Sequence, residues 1–184
     1  TITIGTPTLS ISPTDTTVCK NSIQPIVATA SAGSAVTWSP TTNLYTDAAC
    51  TIPYIAGTNA SNVWAKPSAT TTYTATATNG ACSKTAEVSF EIETAAWNGT
   101  SWNTPPDANK SLLFAGDYNS NTDNRTLIEG CDCTVTSGAV TIASDHVLKL
   151  KNELNVNGGS MTFENDASLV QINNVTNTGN IVYK

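Results

Sequence analysis

From Cys131 to Lys184 the chain alternates in short apolar triplets: Thr134-Val135-Thr136, Val140-Thr141-Ile142, Leu148-Lys149-Leu150, Leu154-Asn155-Val156, Met161-Thr162-Phe163, Leu169-Val170 and Ile181-Val182-Tyr183. A two-residue period marks each as a short β-strand with one buried face. Polar turns separate them: Ser137-Gly138, Ser144-Asp145, Lys151-Asn152, Asn157-Gly158-Gly159 and Asn165-Asp166. A longer period lies over the short one. Val135 maps to Leu154, Val140 and Ile142 map to Met161 and Phe163, and Leu148 maps to Leu169. Three strands per turn at a period of about 20 residues suit a β-solenoid, in which like residues stack coil on coil. Ile142, Leu150, Val156 and Phe163 are then core. A run of antiparallel hairpins is the alternative, with Asn157-Gly158 as a tight turn.

Upstream the rhythm is longer. Thr8–Ser12, Ile23–Ala30, Ala35–Ser39, Asn62–Lys66, Thr71–Thr78 and Lys84–Glu93 read as strands, and the chain opens in a strand-like Thr1-Ile2-Thr3-Ile4. The last of the six sets Ala86, Val88, Phe90 and Ile92 against Thr85, Glu87, Ser89 and Glu91, one buried face and one solvated. Asn79-Gly80 joins it to Thr71–Thr78 through a hairpin turn of about four residues, with Tyr73, Ala75 and Ala77 facing in. Short strands with regular turns, and Trp38 on a central strand, predict an immunoglobulin-like sandwich. The fold class expected is therefore all-β: a sandwich over residues 1–94 and a short parallel solenoid over 95–184. Lys110–Tyr118 supplies a strand one coil above Cys131. Residues 95–106, with Trp97, Trp102 and Pro105-Pro106, form a cap or joint, since solenoid ends need caps.

Composition narrows the function. Charged residues are 12% of the 184, the net charge is −6, and Arg125 is the single Arg. No basic stripe exists for nucleic acid. No run approaches the 18 apolar residues of a membrane-spanning helix. Both ends read as cuts in a longer polypeptide or as the limits of an ordered region. Five cysteines in a Thr- and Asn-rich all-β chain suggest an oxidising compartment and disulfides, Cys131 and Cys133 among the candidates. Zinc is disfavoured by the Cys131-Asp-Cys133 spacing and by the lack of a second His beside His146.

Few residues point to chemistry. Ser144-Asp145-His146 has triad residue types, but sequence neighbours in a turn diverge. No carboxylate pair stands out, and no catalytic residue or required cofactor is expected. Asp117, Asn119, Asn121 and Asp123 stand at alternate positions, as calcium ligands do, without the glycine at position six or the glutamate at position twelve. Trp64, Trp97 and Trp102, with Tyr45 or Tyr54, are the candidate platforms for stacking sugars.

Two resemblances sharpen this. Val18-Cys19-Lys20-Asn21, Trp38-Ser39-Pro40 with Leu44-Tyr45-Thr46-Asp47, Ala69–Tyr73 and Asn79-Gly80-Ala81-Cys82 resemble the immunoglobulin- or PKD-like repeats of Bacteroidota surface proteins. That resemblance implies a Cys19–Cys82 disulfide, leaving Cys50 over. Residues 97–184, from Trp97-Asn98-Gly99 through Gly116-Asp117-Tyr118, Leu154-Asn155-Val156 and Leu169–Ile172 to Thr178-Gly179-Asn180, resemble the segment that precedes the C-terminal sorting domain of type IX secretion cargo. This implies export to the cell surface by that secretion machinery. Asp15-Thr16-Thr17 matches the O-glycosylation pattern of the same bacteria, with Thr16 as acceptor. The expectation is a secreted surface protein serving as spacer, stalk or adhesive scaffold, in contact with neighbouring domains or copies of itself. A carbohydrate-binding module and a subunit of an extracellular fibre are the alternatives.

Overall fold

The computed structural model describes residues 5–184, so the strand expected at Thr1–Ile4 lies outside the described residues. Every helix or strand element among the described residues is a β-strand. The chain divides into two compact units, Thr1–Ile92 and Glu93–Lys184.

The first unit contains β1 (Leu9–Ser12), β2 (Thr16–Thr17), β3 (Gln24–Ala30), β4 (Ala35–Ser39), β5 (Leu44–Tyr45), β6 (Asn62–Ala65), β7 (Thr71–Asn79) and β8 (Cys82–Glu91). They form two four-stranded sheets, in the orders β1-β3-β6-β5 and β2-β8-β7-β4. This is an immunoglobulin-like sandwich, with β2 pairing parallel to the last strand, β8. The alternating faces bury Ile26, Val63, Tyr73, Ala75, Val88 and Phe90 between the sheets. Trp38 is buried too, but β4 ends its sheet and is not central. Its indole N–H donates to the Ala60 carbonyl at 2.8 Å, and its backbone N–H donates to the Tyr54 hydroxyl at 3.1 Å. The two-residue strands β2 and β5 escaped the sequence pattern because two positions carry no period. The β7–β8 hairpin is tighter than expected: Asn79 pairs with Cys82, leaving Gly80 and Ala81 as the turn, with Gly80 at φ +59°. Two-residue hairpin loops need positive φ because that twist matches the strands.

The second unit contains β9 (Thr94–Trp97), β10 (Ser111–Ala115), β11 (Tyr118–Asn119), β12 (Leu127–Gly130), β13 (Cys133–Ser137), β14 (Ala139–Ile142), β15 (Val147–Leu150), β16 (Leu154–Phe163), β17 (Ser168–Gln171) and β18 (Thr178–Tyr183). Every ladder between them is parallel. They stack on three faces as a β-solenoid of about four turns. The hairpin alternative is thereby excluded. The unit begins at Glu93, ahead of the expected boundary, because Thr94 already pairs with Ser111. The single strand expected at Lys110–Tyr118 is broken at a corner into β10 and β11.

Core residues stack as the period demands, and Ile142, Leu150, Val156 and Phe163 are buried. Val140 and Ile142 lie beside Met161 and Phe163, and Leu148 beside Leu169. One pairing differs. Val135 lies beside Val156, and Leu154 beside Cys133. The triplet pattern had slipped by two because a cysteine took an apolar core position. Burying such stacks in contact with both neighbouring coils stabilises each coil through the next.

The corners decide the stacking. Gly138, Gly159 and Gly179, one coil apart, have φ of +84°, +78° and +93°. A Cβ on Gly159 would run into the Gly138 carbonyl oxygen, and one on Gly179 into the Val156 carbonyl oxygen. The second corner places Asn124, Asp145 and Asp166 at φ +53°, +64° and +64°. Asn and Asp tolerate this conformation better than other side chains. Gly159→Ala should therefore cost more than about 2 kcal/mol, since strained φ and a backbone clash add. Denaturant unfolding of the variant checks it, and a loss below about 0.5 kcal/mol would contradict the corner geometry.

Tyr73 is fully buried in the sandwich, and its O–H donates to the Thr42 carbonyl at 2.9 Å. Desolvation, and secondarily the charge of Tyr45, push its pKa from 10.0 up to about 12. A folded pKa above the unfolded one means stability that is complete below pH 10 and lost as pH rises through about 12. Alkaline unfolding of the sandwich should steepen in that window, and Tyr73→Phe should flatten it at a neutral-pH cost of about 1 kcal/mol. Spectrophotometric tyrosine titration alongside unfolding curves provides the measurement.

Candidate functional sites in the first coil and on the sandwich

The chemistry-bearing side chains of the second unit gather in its first coil. Trp97 on β9, Trp102, Phe114 on β10 and Tyr118 on β11 pack at angles. Trp97 meets Trp102 at 5.7 Å and 61°, and Trp102 meets Phe114 at 5.2 Å and 68°. Tyr118 lies 5.1 Å from Trp97 and 4.8 Å from Phe114. Edge-to-face contact suits the quadrupoles of aromatic rings. Trp97 is only 9% exposed, and its N–H donates to the Asp117 carbonyl at 2.8 Å. The two Trp rings are thus neither exposed nor coplanar, and they do not form the sugar platform considered for them. Residues 98–103 fold back over the outer edge of β9: Trp102 bridges Trp97, the Asn103 N–H donates to the Ala96 carbonyl, and its side-chain oxygen accepts the Ala96 N–H. This segment caps the first coil.

Asp123 is the polar centre of the cluster. One carboxylate oxygen accepts the Trp102 N–H at 2.8 Å and the Tyr118 O–H at 2.9 Å, and lies 3.0 Å from Arg125 Nε. Desolvation first, then the hydrogen bond to Asp123 and its charge, push the Tyr118 pKa well up, with Arg125 opposing. Asp117 is engaged elsewhere, accepting the Ala139 N–H at 2.8 Å, and Asn119 accepts the Asn121 N–H at 2.9 Å. Among the residues of the calcium spacing, Asp117, Asn119 and Asp123 are thus engaged by separate protein donors. Their carboxylates hold tryptophan, tyrosine, arginine and backbone donors, and among the described residues no three His, Cys, Asp or Glu side chains converge. An open hollow of about 330 Å³ remains beside Trp97, Asp117, Tyr118, Asn119 and Thr141.

A serine–histidine pair was missed by the sequence reading. The Ser120 hydroxyl lies 2.7 Å from His146 Nδ1 and accepts the Ala143 N–H at 2.9 Å. The spacing is that of a nucleophile and its base. Ser120 is, however, fully buried, and one lone pair is held by the backbone of the next coil. The pair satisfies buried polar groups where two coils turn, as buried hydroxyls require. Nothing in the sequence brings residues 26 apart together except the coil period.

Cys19 and Cys131 each take part in a disulfide. The Cys19–Cys82 bond is not formed. Thr16 pairs with Phe90 and Val18 donates to Glu91, so Cys19 lies past the C-terminal end of β8, whereas Cys82 begins that strand. Ten extended residues separate the two ends by roughly 30 Å, and a bridge needs Cα atoms within about 7 Å. Cys131 and Cys133 are not bonded to each other either. Cys133 keeps its thiol in the solenoid core, its pKa pushed far up by burial and secondarily by the Asp132 charge. Such a thiol is inert. The Cys50 thiol is half-buried and is also shifted up, by desolvation and then by the Asp47 charge.

On the sandwich, Thr16 is exposed on the edge strand β2, and Asp15 accepts the Ser89 N–H at 2.6 Å. Tyr54 is buried, its O–H donating to the Thr58 carbonyl at 2.6 Å, and cannot stack a sugar. Trp64 and Tyr45 are half-buried and directly opposite each other on the outer face of their sheet.

No family model and no curated protein matches this chain.

Asp123→Ala should destabilise the solenoid unit by about 3 kcal/mol, because it orphans two buried donors and the Arg125 charge. Asp123→Asn, which keeps one acceptor oxygen, should cost less. Chemical unfolding followed by tryptophan fluorescence measures both, and equal stability of the two variants would contradict the central role of this carboxylate.

Proposed function

We propose that this chain is a structural and adhesive region of a secreted, cell-surface protein, acting as spacer, stalk or display scaffold. The stack of in-register parallel strands carries the reading. Its residue choices serve repetition: apolar side chains in columns, left-handed corners in columns, and an Asn173–Asn152 side-chain hydrogen bond of 2.9 Å at the third corner. A structure of this kind holds its shape along its length. The disulfide-bonded cysteines support an oxidising compartment. Among the described residues no helix is long and apolar enough to cross a membrane. The resemblance of residues 97–184 to the segment preceding a type IX sorting domain supports export by that machinery, and the exposed Thr16 suits a surface glycan.

The purified chain should release no reducing ends from a panel of plant and algal polysaccharides. Cleavage of any of them, abolished by Asp117→Ala, would overturn the structural reading. Proteinase treatment of intact source cells should remove the chain, and protection from it would overturn the surface location.

A further inference from the structure

The sheet β1-β3-β6-β5 turns one face to the sandwich core and one face away. On the outer face the register sets Pro25, Trp64 and Tyr45 opposite one another on β3, β6 and β5, and an isolated bridge sets Pro53 opposite Tyr45. Their neighbours in sequence, Ile26, Val63, Ala65, Leu44 and Tyr54, are all buried, which fixes the row on the outer side. Pro25 and Pro53 are exposed. Four ring-bearing side chains thus cross the sheet in a line of roughly 14 Å, at about 4.8 Å per strand.

The strands that carry the row hold no charged side chain; Asp47 and Lys66, of opposite sign, lie two residues beyond Tyr45 and Trp64, and Val27 and Ile52 are exposed apolar neighbours. The four strands read LSIS, QPIVATA, LY and NVWA, with no ionisable side chain except the Tyr45 phenol. Ser12 pairs with Val27 and Val27 with Asn62, while Ser10 pairs with Thr29, so hydroxyls and an amide flank the rings on the same face. A pyranose ring presents the complementary chemistry: an apolar C–H face to lie on a ring and neutral hydroxyls at its rim. The area argues against a second copy as occupant. About 14 Å by 13 Å of sheet gives roughly 200 Å², against the roughly 800 Å² per partner of a stable protein interface.

We propose that this face binds a neutral polysaccharide, with successive sugar rings laid along the Pro25–Trp64–Tyr45–Pro53 row. This goes beyond the scaffold reading and gives the scaffold something to hold. The intact 184-residue chain would be tested for retention on cellulose, xylan, mannan and β-1,3-glucan, with alginate and polygalacturonate as charged comparisons. Retention is expected on at least one neutral polymer and should change little in about 1 M salt, because the strands of this face carry no charge and the neighbouring Asp47 and Lys66 are of opposite sign. Trp64→Ala should weaken it about tenfold or more, about 1.4 kcal/mol, and Trp64→Phe should keep most of it. Val170→Ala, on the solenoid, should leave it unchanged. Should Trp64→Ala lower the unfolding midpoint, Tyr45→Ser and Pro25→Ser decide in its place.

Retention on none of the neutral polymers, retention confined to the charged ones, or retention indifferent to these substitutions would overturn the proposal. So would a dimer in sedimentation velocity that Trp64→Ala dissolves, since the face would then join two copies. Cleavage of a bound polymer would instead count against the scaffold reading and leave the binding face standing.

Discussion

The spacing between one coil and the next governs the second unit. Parallel strands hydrogen-bond at a separation of about 4.8 Å, so each coil must repeat the path of the one before it almost atom for atom. The straight faces meet this with ordinary extended backbone. The corners cannot, because the chain turns there while staying within contact of the coil beneath. Glycine solves the first corner, where Gly138, Gly159 and Gly179 sit so close to the preceding backbone that no Cβ fits. Asn124, Asp145 and Asp166 solve the second with left-handed φ and side chains pointing out of the path. Coil length follows from the corners, and coil length sets which residues share a column.

The same constraint absorbs groups that look reactive in the sequence. A coil's interior cannot hydrate a stray hydroxyl or imidazole, so each must find a protein partner. Ser120 and His146 find one another across coils, Asp123 gathers Trp102, Tyr118 and Arg125, and the exposed Asp117 accepts the Ala139 N–H. The first coil is where this matters most. It has a neighbour on one side only, and residues 98–103 with the aromatic cluster take the place of the missing coil.

The sandwich follows a different rule. Its sheets alternate strictly, so everything not needed in the core is displayed, and register decides what is displayed next to what. That is how residues as distant as Pro25, Tyr45, Pro53 and Trp64 come to share one row. Buried Tyr54, one residue from Pro53, shows how completely a single step along the chain changes the role of a ring.

The period-two triplets and their repeat at about 21 residues were enough to specify an all-β chain, the solenoid and most of its columns, because backbone geometry ties side-chain facing to sequence position. The long alternating strands specified the sandwich in the same way. Strand alternation cannot say which strand ends meet, so the expected partner of Cys19 was placed at the wrong end of β8. Nor can it reveal contacts made only across coils, which is why Ser120 and His146 were separate in the sequence and bonded in the fold. The alternate acidic positions in 117–123 suggested a cation because spacing does not tell where carboxylates point; packing turned Asp123 toward the aromatic cluster and Asp117 toward β14. The sequence by itself determined the periods, since those follow from local backbone geometry. Only the tertiary structure decided the partners, since a hydrogen bond or a disulfide depends on distance in space and not on distance along the chain.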